Sequence, residues 1–326
     1  MQTTPFGRTG RSTTRIGFGA WAIGGTWGEV TLDDAKATLH AALDAGMTFI
    51  DTADVYGDGR SERIIREVLA ERPGPRPFVA TKAGRRLSPH TAAGYTGANI
   101  EGFIDRSLTN LGVDRLDLVQ LHCPPTPVYA DPGIWDALEA IKAKGKIADY
   151  GVSVERVDEA LVAIRQPGVV SVQIIYNLFR QRPADALFAQ AKAQGVAIIA
   201  RVPLASGLLT GKMSAASTFA ADDHRHFNRN GEAFDKGETF SGVPFDVALA
   251  AVAELRPLVP HGTTMAAFAL RWIMMEDAVT VVIPGAKSPE QSRSNATTVP
   301  PLTPETMAAA RDIYTRLIAP HVHHLW

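Results

Sequence analysis

Lys142-Ala143-Lys144-Gly145, followed by Ile147-Ala148-Asp149-Tyr150-Gly151-Val152, is the stretch whose reading decides the fold. Upstream, Ile134, Leu138 and Ile141 recur at i, i+4 and i+7, the spacing of one helix face. Gly145 ends that helix, because glycine alone enters the left-handed conformation after a helix without steric cost. The apolar run that follows scarcely alternates, which is how a strand buried on both faces of a parallel sheet reads. The same join recurs three times: Leu43-Asp44-Ala45-Gly46 before Met47-Thr48-Phe49-Ile50, Asn110-Leu111-Gly112 before Asp117-Leu118-Val119-Gln120-Leu121, and Ala193-Gln194-Gly195 before Val196-Ala197-Ile198-Ile199-Ala200.

Working outward from these joins gives eight strands near 15–20, 47–52, 77–82, 117–122, 147–153, 169–175, 197–202 and 279–283. Helical stretches separate them, near 31–45, 59–71, 98–111, 134–144, 156–165, 184–194, 246–259 with 263–276, and 289–296. A last helix spans about 303–318. Strict alternation implies parallel strands with right-handed crossovers. Eight units in 326 residues fit an α/β fold of the (β/α)8 TIM-barrel type better than a doubly wound sheet. No low-complexity linker divides the chain, so one barrel domain over residues 1–326 is expected. Two insertions, 84–97 and 204–245, follow strand C-terminal ends, the face where such barrels place their active sites. A loop as long as the second is expected to be a functional lid or partly disordered.

Composition excludes several classes. With 33 basic and 34 acidic side chains and a net charge of -1, the chain has no electrostatic footprint for nucleic acid or an anionic membrane. No run reaches the roughly 18 apolar residues of a membrane span. Met1 to Gly10 lacks the apolar segment and cleavage site of a secretory signal. The single cysteine, Cys123, makes no internal disulfide, and a cytoplasmic location is expected.

Several motifs lose on context. Gly17-Phe18-Gly19-Ala20-Trp21-Ala22 matches the permissive dinucleotide fingerprint, yet Gly24, Gly25 and Gly28 follow and no helix opens before about Thr31. Gly207-Leu208-Leu209-Thr210-Gly211-Lys212 has three residues between its glycines, where a Walker A loop needs four. His321-Val322-His323-His324 and His224-Arg225-His226 lack a further ligand at a known metal spacing, so no metal site is expected. Cys123 lacks a paired base, and pocket lining is the better reading than nucleophile.

The informative residues are polar groups that end apolar strands. Met47-Thr48-Phe49-Ile50 runs into Asp51-Thr52-Ala53-Asp54-Val55-Tyr56-Gly57, Phe78-Val79-Ala80-Thr81 ends on Lys82, and Leu118-Val119-Gln120-Leu121 ends on His122. Each alone reads as a solvated cap or a satisfied core residue. Three consecutive parallel strands whose ends lie about 5 Å apart deliver them to one place. Their chemistry is complementary. A tyrosine, with an ordinary pKa of about 10, becomes a better proton-transfer group beside a lysine ammonium, which favours the phenolate. A carboxylate keeps that lysine charged, and a histidine holds the substrate oxygen. Asp51, Tyr56, Lys82 and His122 form the set expected for adding a proton to a carbonyl oxygen as it becomes an alcohol.

In order and spacing these four residues resemble the aldo-keto reductase family, and the resemblance extends over nearly the whole chain. It implies the (β/α)8 barrel, a nicotinamide cofactor and a small carbonyl or alcohol substrate. Gly19-Ala20-Trp21 is similar to the family's first cofactor-contacting turn, Gly151-Val152-Ser153 to the strand presenting a serine to the nicotinamide amide, and Gln173 to the glutamine at that amide. Pro203-Leu204-Ala205-Ser206-Gly207-Leu208-Leu209-Thr210-Gly211-Lys212 is similar to the pyrophosphate-covering loop. Ile283-Pro284-Gly285-Ala286-Lys287-Ser288-Pro289-Glu290-Gln291 through Asn295 is similar to the adenosine and 2′-phosphate segment. The resemblance thus implies cofactor contacts from Ala20, Trp21, Asp51, Ser153, Gln173, Arg201, Pro203, Leu204, Ser206, Gly207, Leu209, Gly211, Lys212, Gly285, Ala286, Lys287, Gln291 and Asn295.

Physical chemistry supports parts of this. Gly207 and Gly211 let backbone approach a pyrophosphate, and Lys212 adds a cation. Ser288-Pro289 has the form of an N-cap with proline at N1. There are departures too. Val154 stands where many members carry asparagine, Arg201 where many stack an aromatic ring on the nicotinamide, and Gln291 where an arginine often holds the 2′-phosphate. Lys287 and Arg293 are expected to compensate for Gln291, which favours NADP(H) with NAD(H) as the alternative. The substrate pocket is expected from Trp21, Trp27, Tyr56, Cys123 and Tyr129, plus the long loop. Rival readings are an NAD-dependent sugar or alcohol dehydrogenase, a nucleotide-sensing channel β-subunit of the same fold, and a metal-dependent barrel hydrolase. The physiological substrate and oligomeric state are silent in the sequence.

Overall fold

The computed structural model describes residues 1–25, 30–297 and 299–326. The eight strands form one parallel sheet in sequence order: β1 (Phe18–Gly19), β2 (Phe49–Asp51), β3 (Phe78–Ala83), β4 (Leu116–His122), β5 (Ile147–Ser153), β6 (Val169–Ile175), β7 (Ala197–Arg201) and β8 (Val279–Val282). Backbone bonds from Gly17 N to Val282 O, 2.8 Å, and from Val282 N to Arg15 O, 2.9 Å, join the first strand to the last and close the barrel. The four glycines at the joins, 46, 112, 145 and 195, have φ between +65° and +88°, the left-handed geometry the sequence demands. The expected strand at 15–20 is regular only over Phe18–Gly19, with isolated bridges carrying the rest.

The pleat explains what reaches the barrel interior. Phe49, Phe78, Ala80 and Leu118 pack inward in one apolar cluster, while Ile50, Val79, Val119 and Leu121 pack outward beneath the helices. Because side chains alternate along a strand, Asp51, Lys82, Gln120 and His122 continue the inward series one step higher. The barrel floor is plugged by Phe6, fully buried against Phe49 and Phe78 with ring centroids 5.5 and 4.8 Å away. Phe6 follows a strand, Thr3–Pro5, that pairs antiparallel with Ser12–Thr14; the sequence reading did not anticipate this hairpin, whose strands are only three residues long.

Helices cover the outside and start on short polar caps: Thr31 Oγ1 accepts from Asp34 N at 3.1 Å, and Ser288 Oγ from Gln291 N at 3.3 Å. The last expected helix divides into Pro304–Ile313, a wider π turn over Tyr314–Ile318, and Ala319–Val322. The insertion at 204–245 has structure of its own, in short helical turns at Ala205–Thr210, His224–Phe227, Lys236–Glu238 and Phe240–Gly242. His224, Asn228 and Ser241 within it are fully buried. Among the described residues no helix is long and apolar enough to cross a membrane.

Candidate active site

Asp51, Lys82, Gln120 and Gln173 form a polar layer directly above the apolar plug. Lys82 Nζ lies 2.6 Å from Asp51 Oδ2, 2.9 Å from the Thr52 carbonyl and 3.2 Å from Tyr56 Oη. Asp51 Oδ1 accepts from Gln173 Nε2 at 2.6 Å and from Gln120 Nε2 at 3.3 Å. The Tyr56 and His122 rings meet edge to face with centroids 6.0 Å apart. The four residues singled out for proton transfer therefore converge, three of them through direct hydrogen bonds.

Their protonation follows from burial and neighbours. Burial would lower the Lys82 ammonium, yet Asp51 and Tyr56 together raise it, so it stays charged. Burial pushes the Tyr56 phenol above its ordinary value; Lys82 opposes this without reversing it. The lowering expected from the lysine is thus outweighed by desolvation, and the phenol keeps its proton. Burial holds the His122 imidazole well below its usual range, with Arg85, Lys82 and Arg201 adding to the effect, so the ring is neutral. One neighbour is left without partners: Asp54, fully buried in the turn leading to Tyr56, has neither carboxylate oxygen hydrogen-bonded among the described residues. Burial and the nearby Glu62 carboxylate raise it to about 7.

Asp51, Tyr56 and His122 of the tetrad line a cavity of about 510 Å³. Of the residues singled out in the sequence, Trp21, Asp51, Tyr56, His122, Cys123, Ser153, Gln173, Arg201, Pro203, Leu204, Ser206, Gly207, Lys212, Gly285, Ala286, Lys287, Gln291 and Asn295 all line it. Five expected residues do not. Lys82 is buried and reaches the cavity only through its contacts with Asp51 and Tyr56. Ala20 is fully buried behind the wall, its N–H on the Asp51 carbonyl at 2.8 Å. Leu209 is fully buried in the core, and Gly211 gives its carbonyl to Arg256 at 3.1 Å. Tyr129 packs behind Ser153, its hydroxyl 3.3 Å from that residue's carbonyl. Trp27 lies outside the described residues. Arg293, expected to help at a 2′-phosphate, is exposed and away from the cavity lining.

The long loop supplies what sequence reasoning missed. Arg225, Met213 and Glu238 line the cavity. Trp21 stacks on Tyr56 at 6.0 Å and touches His224 at 5.0 Å and Phe234 at 6.0 Å, so the loop lies over the reacting end. Glu238 Oε1 is shared by Arg85, at 3.1 Å, and Arg201, at 3.4 Å. Cys123, Glu155 and Glu238 bring ligand-type atoms within 4.8 Å of one another. Arg85 and Arg201 already occupy those carboxylates, and two fixed cations oppose a metal ion there. Only an acidic residue inside a non-periodic loop marked Glu238, which is no signal in a single sequence.

A nicotinamide dinucleotide fits this cavity chemically. Amide and hydroxyl groups of Gln173 and Ser153 stand beside the tetrad, and the lining also carries Lys212, Lys287 and Arg225, the last paired with Asp223 at 2.6 and 2.9 Å, as cations suited to phosphates. Asn295 Nδ2 steadies Gly285 through its carbonyl at 3.1 Å, where a wall without a Cβ permits close approach.

Comparison with known proteins agrees. The sequence profile described as "Aldo/keto reductase family" matches residues 15–315. Aldo-keto reductase YhdN of Bacillus subtilis (strain 168) is 32% identical over 297 residues, covering 89% of this chain and 86% of that protein. A probable voltage-gated potassium channel subunit beta of Oryza sativa subsp. japonica is 29% identical over 334 residues, covering 94% of each chain. The solved structure of the glycerol dehydrogenase AKR11B4 from Gluconobacter oxydans superposes with a TM-score of 0.77 at 32% identity, covering 96% of this chain and 94% of that one. By fold and sequence alike, the chain is an enzyme of the aldo/keto reductase family, oxidoreductases that work with nicotinamide cofactors.

Proposed function

We propose that this chain is an NADP(H)-dependent oxidoreductase that interconverts aldehydes or ketones and alcohols, with Tyr56 as proton donor and acceptor. The observation that carries the reading is the unbroken contact from Asp51 through Lys82 to the Tyr56 hydroxyl, at 2.6 and 3.2 Å, beside His122 at one end of the cavity. Bound nicotinamide supplies or receives the hydride. The protein's own groups manage the oxygen. Tyr56 keeps its proton until the carbonyl oxygen gains negative charge, and Lys82 then steadies the phenolate left behind. Asp51 holds Lys82 in place and is itself fixed by Gln173 and Gln120. Neutral His122 orients the substrate oxygen by hydrogen bonding without adding a competing charge. In the oxidative direction the same groups act in reverse.

Lys212 and Lys287 in the cavity lining, with Arg225 held by Asp223 beside them, support NADP(H) over NAD(H). Gln291 is engaged in the loop itself, its Oε1 accepting from Lys287 N at 2.8 Å. Tyr56→Phe removes the proton and keeps the ring, so turnover should fall about 10²- to 10⁴-fold while the fluorescence titration with NADPH is unchanged. Comparable turnover would overturn the assignment. A stopped-flow search for single-turnover hydride transfer separates an enzyme from a nucleotide sensor of the channel-subunit kind, and cofactor titration separates the NADP(H) and NAD(H) readings.

A further inference from the structure

Near His122 two guanidinium groups are incompletely hydrogen-bonded by the carboxylates around them, Glu238, Glu155 and Asp235. Arg85 follows β3, Arg201 ends β7, and both are largely buried, Arg201 with 8% of its side chain exposed. The two guanidinium groups share one oxygen of Glu238, at 3.1 and 3.4 Å, and neither contact is the close bidentate fork an arginine forms with a carboxylate. Arg85 Nη2 stands 3.3 Å from Glu155, and its Nη1 3.5 Å from His122 Nε2. Arg201 Nη2 donates to the Val154 carbonyl at 3.0 Å and to Cys123 Sγ at 3.9 Å, and its buried Nε donates to nothing among the described residues. Burial and the facing carboxylates raise Glu155 to about 7, so near neutral pH that group supplies only part of a negative charge. A guanidinium has five donors, and burying one with a donor unmet carries a desolvation penalty that an anion relieves.

Arg201 lines the same cavity as Tyr56 and His122, and Arg85 lines an adjoining pocket that shares Cys123 with it. We propose that the substrate is a short aldehyde or ketone carrying a carboxylate, which Arg201, with Arg85 beside it, binds while the carbonyl oxygen meets Tyr56 and His122. Glu238 identifies the anion as a carboxylate, because a single carboxylate oxygen already bridges the two guanidinium groups and leaves a further donor of Arg201 unmet. The inference rests on the reductase reading. The reaction balances within that reading: hydride goes to the carbonyl carbon and the Tyr56 proton to its oxygen. The C=O becomes CH–OH, the nicotinamide is oxidised by two electrons, and the substrate carboxylate leaves unchanged.

The test compares matched pairs on the full-length enzyme, succinic semialdehyde against butanal and glyoxylate against acetaldehyde, with NADPH and NADH. The acid should lead in kcat/KM by about 10- to 100-fold, the span of a charge-assisted hydrogen bond. In Arg201→Met that ratio should fall to within about threefold of unity, mainly through KM of the acids, and Arg201→Lys should restore part of it. A purely structural role for Arg201 lowers both members of a pair together and leaves the ratio standing, which overturns the inference. Equal kcat/KM for acid and neutral members in the unmodified enzyme also overturns it, while the reductase reading survives. No turnover of any of the four with either cofactor overturns both.

Discussion

Asp54 offers a stability prediction whose sign is unusual for a carboxylate. It is fully buried, its oxygens are without hydrogen bonds among the described residues, and Glu62 adds a second negative charge nearby. Arg86 and Arg106 only partly offset this, and the group sits at about 7 instead of the 3.8 of an exposed aspartate. The folded protein therefore holds this proton more tightly than the unfolded chain. Stability is unaffected below the unfolded value, declines as pH rises from about 4 to about 7, and is constant above that. The difference of about three units is worth roughly 4 kcal/mol at about 1.4 kcal/mol per unit, as a ceiling. Asp54→Asn replaces the carboxyl by a neutral group of the same shape and removes the penalty. Urea unfolding of both proteins at pH 5 and pH 8.5 isolates the effect, because every other titration cancels in the difference. The advantage of the variant should grow by about 3 kcal/mol between the two pH values. A difference that does not change with pH, or a variant less stable than the parent at pH 8.5, refutes the reasoning.

Phe6→Ala should cost about 3–5 kcal/mol in urea unfolding, since it empties the barrel floor, and leave KM for cofactor unchanged because Phe6 does not line the cavity. Gly57 has φ +59°, and a Cβ there would lie 1.9 Å from the Gly24 carbonyl. Gly57→Ala should therefore displace the Tyr56 turn and reduce kcat more than it changes cofactor affinity, as read by kinetics beside a fluorescence titration. Lys287→Ala should weaken NADPH about tenfold, the value of one charge-assisted contact, with a smaller effect on NADH; equal losses for both would remove Lys287 from the 2′-phosphate.

The barrel and its tetrad were legible because both are periodic. Gly46, Gly112, Gly145 and Gly195 mark helix ends by a backbone requirement, and Asp51, Lys82 and His122 stand out as ionisable groups ending apolar runs. The failures have a common physical origin as well. Ala20, Leu209 and Gly211 sit next in sequence to cavity residues, but neighbours along a chain face opposite ways at a wall, while Tyr129 packs behind Ser153. Arg225, His224 and Glu238 lie in a segment with no period, brought over the site by tertiary packing alone. The downward shift expected for Tyr56 counted its cationic neighbour and could not count its burial.

The inward alternation from Phe78 through Ala80 to Lys82 has a consequence for how this scaffold tolerates change in length. A residue inserted between Phe78 and Lys82 would turn the lysine out beneath the helices and bring Thr81 into the chamber. Two residues would restore its direction but lift it about 7 Å along the strand, past the reach of Asp51. Neither frame keeps the ammonium between a carboxylate and a phenol. Variation in chain length is thus confined to segments such as 204–245, and the strands behave as a ruler whose divisions cannot be added to singly or in pairs.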